Sequence, residues 1–409
     1  MKKAFSINVI TGQGGGGHYA TYHAIRAMAE KRHFPWEFHV TDVDDIITEL
    51  SGKNQVKNAY DMFGFSAHDL YNKMVKSGWT WLWPLLMRLN KLLVKLNYEM
   101  GVRIFEQRCR EQQPDLVISV MPLFNKVVWE SVQNVKPDTP VVTILTDFAD
   151  CPPDFWIEPD IGNYVVCGTE KAVEQARSLG VPKQQIIKTS GLVVHPNFYE
   201  PVLGDCTTNE ESARCRERER LGLNADLPTG LVMFGGNGAQ VMLDIAKRLE
   251  KFHENLQLIF LCGRNEDLAT ALRQRESSQK RFVTTFTEEI PYYMSLSDFF
   301  IGKPGNVSVS EAIVMKLPVI TECNRFTMSQ ERYCAEWIED NKVGIVIPDF
   351  RKVDQAVATL IQPHNYAHYR ANLAIVSNQA VFEVIALLQR LLQQADSSAA
   401  LPETSENLL

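Results

Sequence analysis

Near the start of the chain a histidine closes a glycine run, Gly12-Gln13-Gly14-Gly15-Gly16-Gly17-His18. Glycines let a backbone approach a ligand closely and adopt positive φ. The helix N-terminus behind such a turn favours negative charge. No Gly-Lys-Ser/Thr follows, so the run is not a Walker A loop, and Gly12-x-Gly14-x-x-Gly17 fits a dinucleotide fingerprint by spacing only. An imidazole at the mouth of the turn suits proton abstraction from a hydroxyl; the other reading of His18 is a capping or structural histidine. A second turn, Phe234-Gly235-Gly236-Asn237-Gly238, repeats the grammar and suits a diphosphate. A third constellation runs Lys303-Pro304-Gly305-Asn306, then Ser308, Ser310 and Glu311, with Glu311 expected in the first turn of a helix. A carboxylate there can accept two hydrogen bonds from a ribose diol, or simply complement the helix dipole.

The elements that must hold these turns are legible as alternating apolar and amphipathic segments. Residues 4–11 read as a buried strand, a helix follows from about His18 to Lys31, and Trp36 to Val43 alternates like a second strand. Short strands are expected at 114–120, 140–145 and 163–167, and again from Leu231 and at 256–262, 281–286, 298–301, 317–321 and 343–347. Strands alternating with helices imply an α/β fold with parallel sheets covered on both faces. Two such series give two Rossmann-like doubly wound domains: 1–200, then a polar linker at 201–227 leading into a short helix, then 228–375. Val381, Ile385, Leu388 and Leu392 mark a helix over 376–394, expected to cross back to the first domain, and 395–409 reads as a disordered tail.

Composition narrows the class of function. The 409 residues include 42 basic and 49 acidic side chains, a net charge of −7, whereas general nucleic-acid binders are more often basic, and no nucleic-acid partner is expected. A 45% hydrophobic, 22% charged chain is neither wholly disordered nor collagen-like. The eight cysteines show no C-x-x-C spacing and no accompanying histidine cluster, which argues against zinc. Free thiols, the absence of a signal-type start and the absence of an 18-residue uncharged apolar stretch point to a cytoplasmic location. One segment departs from the average. Residues 51–110 carry ten Lys/Arg against four Asp/Glu, a local +6. They include Trp79, Trp81 and Trp83, then Leu85, Leu89, Leu92, Leu96 and Met100 at helical spacing beside Arg88, Lys91 and Lys95. Such a pattern suits an in-plane anchor at an anionic membrane surface, or an ordinary amphipathic helix packed on its own domain.

Taken in order, the motifs resemble those of GT-B glycosyltransferases. More narrowly they resemble the family of monogalactosyldiacylglycerol synthases and bacterial diacylglycerol glucosyltransferases, which is related to the N-acetylglucosaminyl transferase of peptidoglycan precursors. The resemblance rests on Gly14-Gly15-Gly16-Gly17-His18, Thr146-Asp147, Trp156, Gly191-Leu192-Val193-Val194, Asp226-Leu227-Pro228 with Phe234-Gly235-Gly236, Lys303-Pro304-Gly305 through Glu311, and Gln330-Glu331. It covers about residues 5–350. It departs where the galactolipid synthases usually have Cys-His-Pro, here Cys151-Pro152-Pro153, and where Gly-Gln-Glu reads Ser329-Gln330-Glu331.

The resemblance implies two domains facing a cleft, with His18 as catalytic base and the lipid acceptor near Gly17, Asp147 and Trp156. It implies a UDP-sugar held by the second domain. Gly235, Gly236, Asn237 and Gly238 would hold the diphosphate, with Arg264 or Lys303 balancing its charge. Phe286 and Thr287 would lie beside the uracil, Glu311 would hold the ribose, Gln330 with Glu331 would contact the sugar, and Gly305, Asn306 and Ser308 would also bind the donor. The implied reaction is inverting hexosyl transfer from a UDP-hexose to diacylglycerol or a similar lipid, by a peripheral membrane enzyme needing no cofactor and no metal. Transfer of N-acetylglucosamine to a polyprenyl-linked precursor, a non-catalytic nucleotide-sugar binder and, more distantly, a nicotinamide dehydrogenase are the rival readings.

Overall fold

The computed structural model describes residues 4–12, 16–46, 83–202 and 210–399. The chain forms two compact units, one from the segment up to His195 together with the segment from Gln379, the other from Pro196 to Asn378.

The first unit is built on a parallel sheet of β1 (Phe5–Thr11), β2 (Trp36–Asp42), β3 (Leu116–Ser119), β4 (Val141–Ile144), β5 (Tyr164–Cys167) and β6 (Ile186–Lys188), in the order β2-β1-β3-β4-β5-β6. Its central strands are unbroken apolar runs, Leu-Val-Ile in β3 and Val-Val-Thr-Ile in β4, buried on both faces as parallel strands must be. β6 is absent from the sequence reading: three residues at the sheet edge, two half-buried and Lys188 exposed, give no period to detect. The C-terminal helix runs Ala380–Ala399, so the expected boundaries shift: residues 395–399 are helical rather than tail. It packs on the helix Gly17–Lys31. Val381, Val384, Leu388 and Leu392 are buried, which accounts for the apolar stretch, long enough to cross a membrane by length and composition, that lies within Pro363–Asp396.

The second unit repeats the plan with β7 (Thr229–Met233), β8 (Gln257–Leu261), β9 (Arg281–Thr284), β10 (Phe299–Ile301), β11 (Val319–Glu322) and β12 (Gly344–Ile347), ordered β12-β11-β10-β7-β8-β9 and again wholly parallel. The helix Glu210–Arg220 precedes it and carries Arg218 into the interior, where its guanidinium bonds the carbonyls of Leu296, Ala225 and Leu227 and the Asp298 carboxylate at 2.8 Å.

In both sheets the chain reverses its direction of progress once. β2 and β3 lie on opposite sides of β1, and β8 and β10 on opposite sides of β7. Crossovers then leave in opposite directions, opening a crevice at the carboxyl ends of the strands, where open α/β sheets bind ligands. The turn after β1 leads to His18. The turns after β7 and β10 are the second glycine turn and the Lys303-Pro304-Gly305 segment.

Candidate active site

In the first unit Gly16, at φ 81°, caps the helix Gly17–Lys31, so Gly17 and His18 are its first residues. Gln13 to Gly15, which include part of the first motif, lie outside the described residues. His18 is half-buried, and among the described residues its buried Nδ1 has no hydrogen-bond partner. Burial pushes its pKa down to about 4, against the opposing pull of the Val120 backbone, so the ring is neutral at pH 7. Its ring lies 5.7 Å from that of Trp156, tilted by 46°. Trp156 is fully buried and donates from Nε1 to Asp147 Oδ2 at 2.7 Å. The Asp147 carboxylate thus holds the indole of Trp156. Gly17, His18, Asp147 and Trp156, far apart in sequence, are brought together here.

Residues without a motif signature hold this group. Asn125 Nδ2 donates to the Trp156 carbonyl at 2.8 Å. Asp150, fully buried, accepts from the backbone N–H groups of Phe155 and Trp156 on Oδ1, at 3.0 and 2.7 Å, and of Ile157 on Oδ2, at 3.3 Å. Asp150 is one of three aspartates between Thr146 and Trp156, so composition does not single it out, and nothing local marks Asn125.

In the second unit Gly235–Gly238 turns from β7 toward the helix Val241–Leu249. The carbonyl of Gly236 accepts from Arg264 N at 2.8 Å. Gly263, at φ 58°, presses against that carbonyl so closely that a Cβ would clash with it. Arg264 lays its guanidinium 4.3 Å over the ring of Phe286, which is 49% exposed. Thr287 Oγ1 is engaged by the N–H of Glu289. This unit therefore groups the glycine turn, Arg264 and Phe286.

Around the third motif two expectations change. Gly305 caps the helix Asn306–Val314, which places Glu311 in the second turn and leaves no acid in the first. The helix begins at Asn306 because Gly305 before it is extended, at φ −72° and ψ 123°. The dipole account of Glu311 loses its basis, since that field falls off within the first turn. The Glu311 carboxyl is instead half-buried and pushed up to about 8 by burial alone. Lys303, a candidate counter-charge for a diphosphate, instead pairs with Glu331 Oε1 at 2.6 Å. Glu331 is buried beside Gln330 at the start of the helix Ser329–Asp340. Asn306 Nδ2 reaches the Gln330 carbonyl at 3.4 Å, and Ser308 is half-buried on the same helix.

Of the membrane candidates, Trp79 and Trp81 lie outside the described residues, and only the backbone of Trp83 is described, opening the helix Trp83–Leu96. That helix ends before Asn97, whose side chain caps the Leu93 carbonyl at 2.8 Å, so Met100 belongs to the next helix, Tyr98–Gln112, and not to the leucine stripe. Leu89, Leu92 and Leu96 are 37%, 51% and 71% exposed, with Arg88 and Lys95 exposed beside them. Lys91 is not a spare cation: it pairs with Asp154 Oδ1 at 2.5 Å.

Comparison with known proteins gives this geometry a family. Residues 40–194 match the family model for monogalactosyldiacylglycerol (MGDG) synthase, and residues 231–385 that for the glycosyltransferase family 28 C-terminal domain. Monogalactosyldiacylglycerol synthase 1 of Arabidopsis thaliana is 26% identical over 409 residues, covering 96% of this chain and 71% of that one. The processive diacylglycerol beta-glucosyltransferase of Bacillus cereus is 26% identical over 310 residues, covering 75% and 70%. Among solved structures, Acinetobacter baumannii MurG shares the fold with a TM-score of 0.55 at 13% identity, over 95% of this chain and all of that one. The two doubly wound units and these matches define a glycosyltransferase of the GT-B fold. Within that class the chain is similar to monogalactosyldiacylglycerol synthases and diacylglycerol glucosyltransferases, its first part by the match at 40–194 and its second by the match at 231–385.

The packing at Gly263 generates a direct test. Gly263→Ala should force the Gly236 carbonyl out of place, because a positive φ and a backbone neighbour leave the methyl nowhere to go. UDP affinity measured by calorimetry should fall about tenfold or more, on the scale of a misaligned binding group. An unchanged Kd would show that the turn tolerates displacement.

Proposed function

We propose that the protein is an inverting transferase that moves a galactosyl or glucosyl group from a UDP-sugar to a diacylglycerol-type lipid at a membrane surface. The observation that carries this reading is the neutral His18 ring held against Trp156, within a unit whose sequence matches the MGDG synthase family. His18 takes the proton of the acceptor hydroxyl as its oxygen attacks the anomeric carbon from the face opposite the nucleotide. The anomeric bond to UDP breaks, configuration inverts, and no covalent enzyme intermediate forms. At pH 7 the ring is unprotonated and can accept the proton, and any group that raises its pKa toward 7 in the loaded site strengthens it as a base. The departing diphosphate is stabilised by backbone N–H groups of the Gly235–Gly238 turn and by Arg264, a scheme that calls for no metal. Glu311 accepts hydrogen bonds from the ribose, Phe286 and Thr287 border the base, and Gln330 with the Lys303–Glu331 pair faces the sugar. The chloroplast and bacterial relatives act on diacylglycerol, as their names state, which supports the acceptor class and a peripheral membrane setting.

The reaction is tested with UDP-galactose, UDP-glucose and UDP-N-acetylglucosamine against a lipid panel that includes diacylglycerol and a polyprenyl diphosphate lipid, read by product mass. A hexosyl-diacylglycerol is expected. A product only from the polyprenyl lipid would replace this reading with N-acetylglucosaminyl transfer, and UDP binding without any product would make the protein a nucleotide-sugar binder. His18→Ala should abolish turnover and leave the Kd for UDP unchanged; full activity would remove the base role.

Glu311 gives a pH dependence of known sign. Its carboxyl titrates near 8, and the ionised form is the better acceptor for a ribose diol. The Kd for UDP should therefore tighten as pH rises from 7 to 9, by up to about tenfold. In Glu311→Gln the trend should vanish; a Kd flat with pH in the unsubstituted protein would free Glu311 of that role.

Membrane attachment is assigned to the exposed leucines, whose burial among lipid chains is favourable while Arg88 and Lys95 meet anionic head groups. Replacing Leu92 and Leu96 together by Asp should cut flotation with vesicles containing anionic phospholipid by about fivefold or more. Unaltered flotation would move the contact elsewhere.

A further inference from the structure

A buried carboxylate in the first unit has a role that no motif assigns. Asp150 has no exposed surface, yet the groups that stabilise its charge are backbone N–H groups rather than a cation. Burial dominates and pushes its pKa up to about 6. Isolating a carboxylate in this way is costly, and the three bonds it accepts converge on consecutive residues with Trp156 at their centre. Asp150 is itself gripped at both backbone groups: Gln175 accepts its N–H at 2.9 Å and donates to its carbonyl at 2.8 Å. Gln175 comes from the helix Glu170–Ser178 behind β5, an element fixed by the apolar core of Ala172, Val173 and Ala176. A chain of contacts thus runs from a rigid helix through Gln175 and Asp150 to the backbone of Trp156, and from its ring to His18.

We propose that Asp150, locked by Gln175, is a positioning residue that fixes Trp156 against His18 and thereby sets the alignment of the acceptor hydroxyl with its base. The proposal rests on the reading of the His18–Trp156 group as the acceptor site. It separates Asp150 from the donor: every residue in the chain of contacts lies in the first unit, so its loss should move acceptor constants alone. It also separates hydrogen bonding from charge. In Asp150→Asn the retained Oδ1 can still serve Phe155 and Trp156, while the new amide cannot accept from Ile157.

The test uses the full chain with Asp150→Ala, Asp150→Asn and Gln175→Ala, the last at a half-buried position where folding is secure. First, deuterium uptake is followed in ligand-free protein over peptides spanning 147–158. It should rise clearly in Asp150→Ala and Gln175→Ala and less in Asp150→Asn. Second, steady-state constants are measured with UDP-hexose and diacylglycerol. The kcat/KM for acceptor should fall by about tenfold or more in Asp150→Ala and about threefold to fivefold in the other two, with the donor KM unchanged. If Asp150→Ala fails to fold, the remaining pair carries the same expectation. Wild-type uptake at 155–157 in Gln175→Ala and Asp150→Asn would overturn the proposal. Donor and acceptor constants shifting together would do so as well. Should the unsubstituted protein transfer no sugar at all, the transferase reading fails, while the exchange measurement still decides whether Asp150 holds Trp156.

Discussion

Parallel pairing sends every strand of a sheet out at the same edge, and each unit here is built under that constraint. Connections must return along the faces as helices, so the carboxyl edge collects turns that feed helix N-termini. Where the order reverses, beside β1 in one unit and β7 in the other, two such turns diverge and leave room for a ligand. The Gly235–Gly238 and Lys303-Pro304-Gly305 turns occupy this edge in the second unit, and in the first the described residues Gly16 and Gly17 open the helix that follows β1. The chemistry has been placed where the backbone already presents unpaired N–H groups and a favourable dipole.

The second unit must hold its switch point rigid, and it does so partly with a buried ion network. Arg218 and Arg214 both reach Asp298, whose Oδ2 also accepts the N–H of Thr229 at the start of β7. This ties the helix Glu210–Arg220 to the strand that launches the glycine turn. Removing one partner of such a buried pair leaves the other charge unsatisfied, a loss of about 3–5 kcal/mol. A polar stretch read as a linker therefore contains a structural element of the second unit.

What the sequence makes legible is what repeats locally. The strand–glycine–helix openings at Phe5–Lys31 and Thr229–Leu249 announce themselves by composition and period, and the central strands follow from their unbroken apolar runs. Partners distant in sequence are not legible. Lys303 and Glu331 are separated by 27 residues, Lys91 and Asp154 by 62, and both lysines are committed to carboxylates that no pattern predicts. The turn of the helix that holds Glu311 is not legible either, since the start at Asn306 depends on the backbone angles of Gly305. Asp150 and Asn125 escape altogether, since their work is to bond backbone groups whose position only the fold defines.

The C-terminal helix Ala380–Ala399 has a consequence for the order in which the molecule is made. It completes the first unit, packing on the helix that carries His18, yet it is translated after the whole of the second unit. Emerging chains fold domain by domain. The second unit is thus complete while the first still lacks the residues that cover its core, Val381, Val384, Leu388 and Leu392 among them. A nascent or truncated chain ending before residue 379 would carry a finished second unit and an unsealed apolar face beside the helix of its histidine. Maturation of the His18 side is therefore a late, long-range closure, and the first unit is the part of this protein most exposed to interruption during synthesis.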